Sequence, residues 1–386
     1  MHFPWCLAKC PYCDFTSFAI ERPAIPHAEY ADAVIAELET RLRGLGAGGG
    51  APLRTATVFF GGGTPSLWEP RDLGRVISAI LRALPPTPDV EITAECNPSS
   101  LDADRARALV AAGVNRLSVG VQSLDARRLA FLGRLHDPAG GLRAVEAALA
   151  SGAARVSADL IFGVEGGAPQ SAREAAAEVE RVVDLGLSHV SAYGLTIEPG
   201  TAFGDQARKG RLPIATDEAI MESFAAVGAA LEARGLDRYE VSNYAKPGHE
   251  ARHNLRYWGG LDYLGLGTAA VGTLSIGGGS ARRYKNARDP RAYMRAALAG
   301  TPAEGEVEEL DAEARLRERI MLGLRLRGGI DLEAAGRELG VEAMTAARSR
   351  ALEKLLRKGA VEVDGARVRV AEAARHLTDG IASELF

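Results

Sequence analysis

The chain has 386 residues, 47% of them hydrophobic and 25% charged, which suits one large globular domain with a smaller one beside it. Its formal net charge of −4 argues against nucleic-acid binding through a general basic surface. No apolar run approaches the roughly 20 residues that span a bilayer, and Pro4, Pro11 and Asp14 interrupt any N-terminal hydrophobic segment, so no signal peptide is expected. A cytoplasmic location follows as the expectation, compatible with peripheral membrane contact.

Chemistry begins at once. Cys6, Cys10 and Cys13 form a C-x3-C-x2-C motif with Tyr12 between the last two, and Cys96 is the only other cysteine. Three thiolates so close in sequence suit three irons of a [4Fe–4S] cluster, leaving the fourth iron open to a ligand. Two other readings stay open on spacing alone. His2 could complete a Cys3His zinc site, and Cys10-Pro-Tyr-Cys13 could be a redox pair, although that leaves Cys6 without a role.

From Thr55 to Gly200 apolar strands alternate with amphipathic helices. The predicted strands are Thr55–Phe60, Val90–Ala94, Arg116–Val119, Val156–Phe162 and His189–Leu195, and the predicted helices are Ala28–Leu45, Leu73–Leu84, Ala103–Ala112, Ala139–Ser151 and Ala172–Leu185. This rhythm indicates βαβ units and a parallel sheet, with each strand apolar enough to be covered on both faces. Glycine-rich or polar pieces follow the strand ends, where α/β barrels carry their chemistry. Pattern alone does not separate a partial barrel from an open doubly wound sheet. Gly44–Gly50 reads as a surface loop. Gly61-Gly62-Gly63-Thr64-Pro65 lacks the Lys-Ser/Thr of a phosphate loop and instead offers backbone to a small ligand such as an ammonium group.

After the predicted helix Asp217–Arg234 the pattern breaks, and 237–309 reads as an irregular segment. From Leu310 three helices are expected, Ala312–Leu326, Asp331–Leu339 and Glu342–Lys358, then a hairpin of Val361–Val363 and Val368–Val370 whose Asp364-Gly365 suits a type I′ turn. Arg348, Arg350, Lys354, Arg357, Lys358, Arg367 and Arg369 here read as a solvated face balanced by glutamates rather than a nucleic-acid surface.

The cysteine motif followed by a GGTP strand end resembles the radical S-adenosylmethionine (SAM) superfamily. Pro4–Phe15, Asn115–Ser123, Leu132–Asp137 and Tyr239–Gly248 resemble its branch of oxygen-independent coproporphyrinogen III dehydrogenase (HemN) and the heme chaperone HemW, over nearly the whole chain. The resemblance implies an α/β fold: a partial (β/α)6-type barrel over 1–236, the irregular segment over 237–309, and a small winged-helix-like domain over 310–386. It implies that Cys6, Cys10 and Cys13 ligate a [4Fe–4S] cluster and that SAM chelates the open iron. Tyr12, Gly62, Gly63, Thr64, Glu95, Gln122, Arg134 and Asp159 stand at positions resembling the family's SAM contacts. Such a site feeds one electron from an external donor into the SAM sulfonium and yields a 5′-deoxyadenosyl radical that abstracts hydrogen.

Two features lean toward the chaperone type. Phe15 stands where the dehydrogenase type carries an extra cysteine. His253-Asn254-Leu255-Arg256-Tyr257-Trp258 matches an H-N-x-x-Y-W motif linked to heme: His253 offers an axial imidazole, Asn254 accompanies it, Tyr257 and Trp258 offer ring faces, and Arg252 or Arg256 could meet propionates. Heme and a client hemoprotein are then the expected partners, with porphyrinogen dehydrogenation as the alternative activity. His136 and His189 are expected to be structural, and Cys96 a buried small hydrophobe. Two departures stand out. The family's full first strand, with its tyrosine six positions before the first cysteine, is cut short here, and Glu165 replaces a common proline.

Overall fold

The computed structural model describes residues 1–45, 53–165 and 168–386; most of Gly44–Gly50 lies outside them. Six parallel strands run in order β1 (His2–Phe3), β2 (Thr55–Gly62), β3 (Pro86–Cys96), β4 (Arg116–Gln122), β5 (Arg155–Phe162) and β6 (His189–Gly194). The first strand is present as two residues, His2 and Phe3, paired with Gly61 and Gly62. Helices His27–Leu45, Pro70–Ala83, Ala103–Ala111, Pro138–Leu149 and Ala172–Val183 connect or follow them. Their starts are set locally. Asp102 and Asp137 cap the next helix through their side chains, Pro138 takes the first turn, and Ser171 with Glu174 forms a reciprocal capping box.

The strands are not apolar on both faces as expected. Val58, Phe60, Ile92, Ala94, Leu117, Val119, Ala158, Leu160 and Val190 are buried in the main apolar core. Their alternate neighbours share the other face: Thr57, Glu91, Thr93, Glu95, Arg116, Ser118, Ser157, Asp159, His189 and Ser191. The period of two puts them all on the concave side. The sheet is thus apolar toward its helices and polar toward its lumen. Glu91 lies 3.6 Å from Arg116 and 3.8 Å from Arg155, and Ser157 donates to Ser118.

Past residue 236 the sheet continues. Asn243–Ala245 pairs antiparallel with β6, and Asp237–Arg238 pairs with it in turn. The segment expected to be irregular also holds an antiparallel three-stranded sheet, Val271–Gly277, Ser280–Asn286 and Glu304–Leu310, with the helix Pro290–Leu298. Glu37 locks this sheet to the first helix, accepting from Tyr293 at 2.6 Å, Asn286 at 2.8 Å and the Gly267 amide at 2.9 Å.

The C-terminal unit has its own core, centred on Leu316, Ile320, Leu332, Leu355 and Val368. Its helices are Ala312–Gly323, Leu332–Leu339 and Ala346–Arg357, and its hairpin is Val361–Asp364 with Arg367–Val370. Asp364 pairs with Arg367, so the loop is Gly365–Ala366; only Gly365 has positive φ, the type II′ pattern rather than the expected I′. Arg348 is not on a solvated face either. It is 3% exposed and donates to the carbonyls of Leu385 and Ala343 and to Glu313. Lys354 and Arg369 do pair with glutamates, Glu384 and Glu362.

An aromatic cluster anchors the N-terminal segment. Trp68, fully buried, stacks on Phe3 at 5.1 Å and 25°, sits 5.3 Å from Tyr30, and donates its indole N–H to the His27 carbonyl at 3.1 Å. Trp5 packs edge-on against Phe3 and Tyr30. Trp68→Ala is expected to cost about 3–5 kcal/mol, since the rings around it cannot collapse into the space. A denaturant midpoint unchanged from wild type would contradict this.

Candidate cofactor site

The cysteine loop leaves β1 and is tied down at both ends. Trp5–Cys6 pairs with Phe18–Ala19, and the Cys6 carbonyl accepts from Ile20 at 2.9 Å. The Cys13 amide closes a turn onto the Cys10 carbonyl at 3.2 Å, and the Phe203 amide holds the Pro11 carbonyl at 2.9 Å. Gly133 is needed beneath this turn, because a Cβ there would stand 2.7 Å from the Pro11 ring. The loop therefore comes to rest at the C-terminal ends of the strands.

The GGT run serves the loop before any ligand. The Gly61, Gly63 and Thr64 amides donate to the carbonyls of Met1, Phe3 and Trp5 at 3.0, 2.7 and 2.9 Å. A Cβ at Gly63 would meet the Trp5 oxygen at 2.6 Å. These amides are spent inside the protein. The Thr64 hydroxyl donates to Cys6 Sγ at 3.3 Å, bringing that residue to the cysteines.

Arg134 arrives from the other side. Its guanidinium donates to the Gly120 carbonyl at 3.0 Å and to Cys10 Sγ at 3.5 Å, while its buried Nε has no partner among the described residues. Tyr12 lies beside Cys10 and Arg134, its hydroxyl pKa pushed up mainly by burial. Gln122 has a φ of 66° at a register break in the β4–β5 pairing. A left-handed glutamine is strained backbone, and such strain gathers at functional sites.

Two buried carboxylates complete the strand ends. Glu95 has its pKa pushed up to about 8 by burial, with Asp159 as the next cause and a hydrogen bond from the Gly62 amide opposing. Asp159 is also raised by burial, and it accepts from Ser118 at 3.0 and 3.1 Å. Ser118 and Ser191 escaped the sequence reading; the only signal was a polar residue at every second strand position. Cys96 points the other way, 4% exposed and within the main apolar core.

The thiols of Cys6 and Cys13 are raised mainly by burial, and each feels Cys10 nearby. Buried thiolates beside one another are unfavourable without a cation, which fits them to iron. Among the described residues no three His, Cys, Asp or Glu gather closely enough to hold one metal ion. A cubane needs three thiolates on three separate irons, whereas zinc needs them around one centre. His2 Nε2 bonds to the Thr16 carbonyl at 2.8 Å. The residues present thus fit a cluster.

The HNLRYW segment stands elsewhere. It forms the helix Arg252–Trp258 across the opposite, N-terminal mouth of the barrel. His253 Nδ1 bonds to the Thr57 hydroxyl at 3.0 Å, its amide donates to Glu91 at 3.0 Å, and its ring stacks on Phe59 at 4.8 Å and 19°. Burial pushes its pKa down to about 4, so the imidazole is neutral. Arg252 pairs with Asp89. Thr57 and Glu91 lie four or five residues before the strand ends, and Phe59, on which His253 stacks, reaches back to Gly61, where an added Cβ would meet both Phe59 at 2.8 Å and Glu95 Oε2 at 3.0 Å. Asn254 is half-buried and Tyr257 exposed; Tyr257 and Trp258 meet edge-on at 5.6 Å rather than forming one flat face with His253. His136 and His189 are structural: His136 Nε2 meets the Val121 carbonyl and His189 Nε2 the Tyr239 hydroxyl.

Comparison with known proteins agrees with this architecture. The model of the radical SAM superfamily matches residues 1–179, and that of the HemN C-terminal domain matches 310–377. The heme chaperone HemW of Escherichia coli is 38% identical over 294 residues, 76% of this chain and 74% of that protein. HemW of Mycobacterium tuberculosis H37Rv is 34% identical over 387 residues, 100% of this chain and 94% of that one. A solved structure of coproporphyrinogen III oxidase (HemN) from Escherichia coli superposes with a TM-score of 0.80, covering 100% of this chain and 88% of that one; at 21% identity it speaks for the fold alone. The chain belongs to the radical SAM superfamily and, within it, to the HemW family. Membership brings a [4Fe–4S] cluster and SAM as its cofactors.

Proposed function

We propose that this chain binds heme and passes it to a client hemoprotein, with Cys6, Cys10 and Cys13 on the cluster and Glu95, Gln122, Arg134, Asp159, Thr64 and Tyr12 around SAM. The relatives that match it across most or all of its length carry the name heme chaperone. That likeness along the whole chain carries the reading, and Phe15, standing where the dehydrogenase type has an extra cysteine, supports it.

When bound, the cluster and SAM supply one-electron chemistry. The chain's own residues do the rest. Arg134 supports Cys10, Thr64 supports Cys6, and the carboxylates of Glu95 and Asp159 stand where hydroxyl donors would be accepted. At the other mouth Thr57 fixes His253 Nδ1, leaving Nε2 for iron, the arrangement by which a neighbouring group orients a ligating imidazole. No helix among the described residues is long and apolar enough to cross a membrane. The cytoplasm is the proposed place of work, with a one-electron donor and the client as partners.

One preparation tests the reading. Anaerobically reconstituted protein given coproporphyrinogen III and SAM should form no protoporphyrinogen, while hemin titration should reach stoichiometric uptake. His253→Ala should weaken that uptake about tenfold. Protoporphyrinogen in the first assay would instead favour the dehydrogenase.

A further inference from the structure

A second, smaller apolar cluster stands at the cofactor mouth, apart from the main core. It gathers Leu132, Ile161, Val164, Phe203 and Leu212, with Tyr12 packed against it. Ile161 follows Asp159 by two residues on the same face of β5, and Leu132 precedes Arg134 by two. The cluster therefore borders two of the positions proposed for SAM. Phe203 is 3% exposed, and its ring lies 4.8 Å from that of Phe131 at 41°.

Phe203 belongs to the segment that links β6 to the helix Asp217–Glu232, and that segment is loosely attached. Its amide donates to the Pro11 carbonyl at 2.9 Å. From Ile197 to Ala215 every other hydrogen bond among the described residues stays within the segment. The Arg208 side chain is 75% exposed, Lys209 and Arg211 are exposed, and so is Ile214. Apolar packing centred on Phe203 and one backbone bond hold the whole piece. Attachments so few mark a region that opens at low cost.

The acceptor of that bond is part of the cysteine turn. Pro11 lies between Cys10 and Cys13, and beneath it a Cβ at Gly133 would already stand 2.7 Å from its ring. Iron bound to Cys10 and Cys13 fixes both flanks of Pro11. Without iron, weak thiol contacts such as that from Arg134 to Cys10 Sγ at 3.5 Å are what remain. Resting on the cluster assignment above, we infer that residues 197–215 are a strap over the cofactor mouth, fastened through Phe203 when the cluster is in place and released when it is lost. Phe203 is a positioning residue, acting on the cysteine turn through the Pro11 carbonyl. Release opens the mouth beside Asp159 and Arg134, and fastening shields the bound cluster from water and oxygen.

Limited trypsin digestion of the full chain, either loaded anaerobically with iron and sulfide or stripped by chelator, tests the strap. Cleavage after Arg208, Lys209 and Arg211, mapped by mass spectrometry, should be at least about tenfold faster in the stripped chain, because the protease reads the open fraction. Cleavage after Lys358, exposed in the separate C-terminal unit, is the reference and should not change. Loaded Phe203→Ala should be cut in the strap at the stripped rate, and should lose iron to chelator about five- to tenfold faster than wild type. Phe203→Leu keeps an apolar anchor and should recover most of both. Equal strap cleavage in loaded and stripped wild type overturns the inference, whether or not the variants fold. Strap and reference sites that accelerate together also overturn it, since they would mark general unfolding. A wild-type chain that takes up no iron and sulfide overturns the cluster assignment itself, and the strap with it.

Discussion

Gly63→Ala should strip the protein of most of its iron without touching a cysteine. A Cβ at this position stands 2.6 Å from the Trp5 carbonyl oxygen and 2.9 Å from that of Phe3. Both are backbone atoms, so no rotamer change relieves the contact. The same two carbonyls accept from the Gly63 and Thr64 amides, and Trp5 is held between Phe3 and Tyr30. Either the strand end moves, breaking those bonds, or the segment carrying Cys6 moves. Overpacking of this kind costs about 1–3 kcal/mol, and the displacement falls on the residue next to the cluster ligand. Iron content below half of wild type and a lowered melting temperature are expected. Gly380→Ala is the control: it lies in the helix Thr378–Glu384 with nothing within 4 Å of its Cβ, and should be neutral or slightly stabilising. Wild-type iron content in Gly63→Ala would show that the close approach does not matter.

Glu95→Gln should stabilise the cofactor-free protein at alkaline pH and weaken its hold on SAM. Glu95 has a folded pKa of about 8, raised by burial and by Asp159. An acid with a raised folded pKa makes the folded state bind more protons than the unfolded one. Stability therefore falls as pH rises from the ordinary carboxylate range toward 8. Glutamine, neutral throughout, removes that fall. The gain should be on the order of 2–4 kcal/mol at pH 8 and vanish near pH 4. The same change replaces a charged acceptor with a weaker one, so SAM affinity should drop about tenfold at pH 8. Thermal melts between pH 4 and 9 check the first part, and calorimetric titration of SAM the second. A stability gain independent of pH would show that packing, not ionisation, separates the two side chains.

These two positions also show what the sequence can and cannot disclose. The cysteine spacing, the βα rhythm and the strand ends were legible because each is a local pattern. β2 to β6 all appear where periodicity placed them, with β3 extended back to Pro86 and β2 and β4 extended forward to Gly62 and Gln122. The lumen was not legible as such. Arg116, Ser118, Ser157 and Ser191 are unremarkable polar residues until the strands are in register, and only then does Ser118 reach Asp159. The hairpin Val271–Gly277 with Ser280–Asn286 was hidden by its Gly277-Gly278-Gly279 turn, all three at positive φ, which reads as loop. His253 was found, but not its surroundings. Thr57, Phe59 and Glu91 lie some 160 to 200 residues away in the chain, and no short motif records such contacts. Gly63 also makes room for Trp5 and Phe3, a close approach that no spacing in the sequence records.

The polar lumen joins the Arg252–Trp258 helix to the strand ends: the His253 amide rests on Glu91, which faces Arg116 and Arg155.

Iron and sulfide analysis of anaerobically reconstituted protein, read beside the electron paramagnetic resonance of its reduced form with and without SAM, tests the central claim most directly. Three thiolates on a cubane with one open iron predict about four irons and four sulfides per chain, a reduced-state spectrum that changes when SAM is added, and loss of both in Cys10→Ala. Stoichiometric zinc with no sulfide, or a spectrum indifferent to SAM, would contradict it.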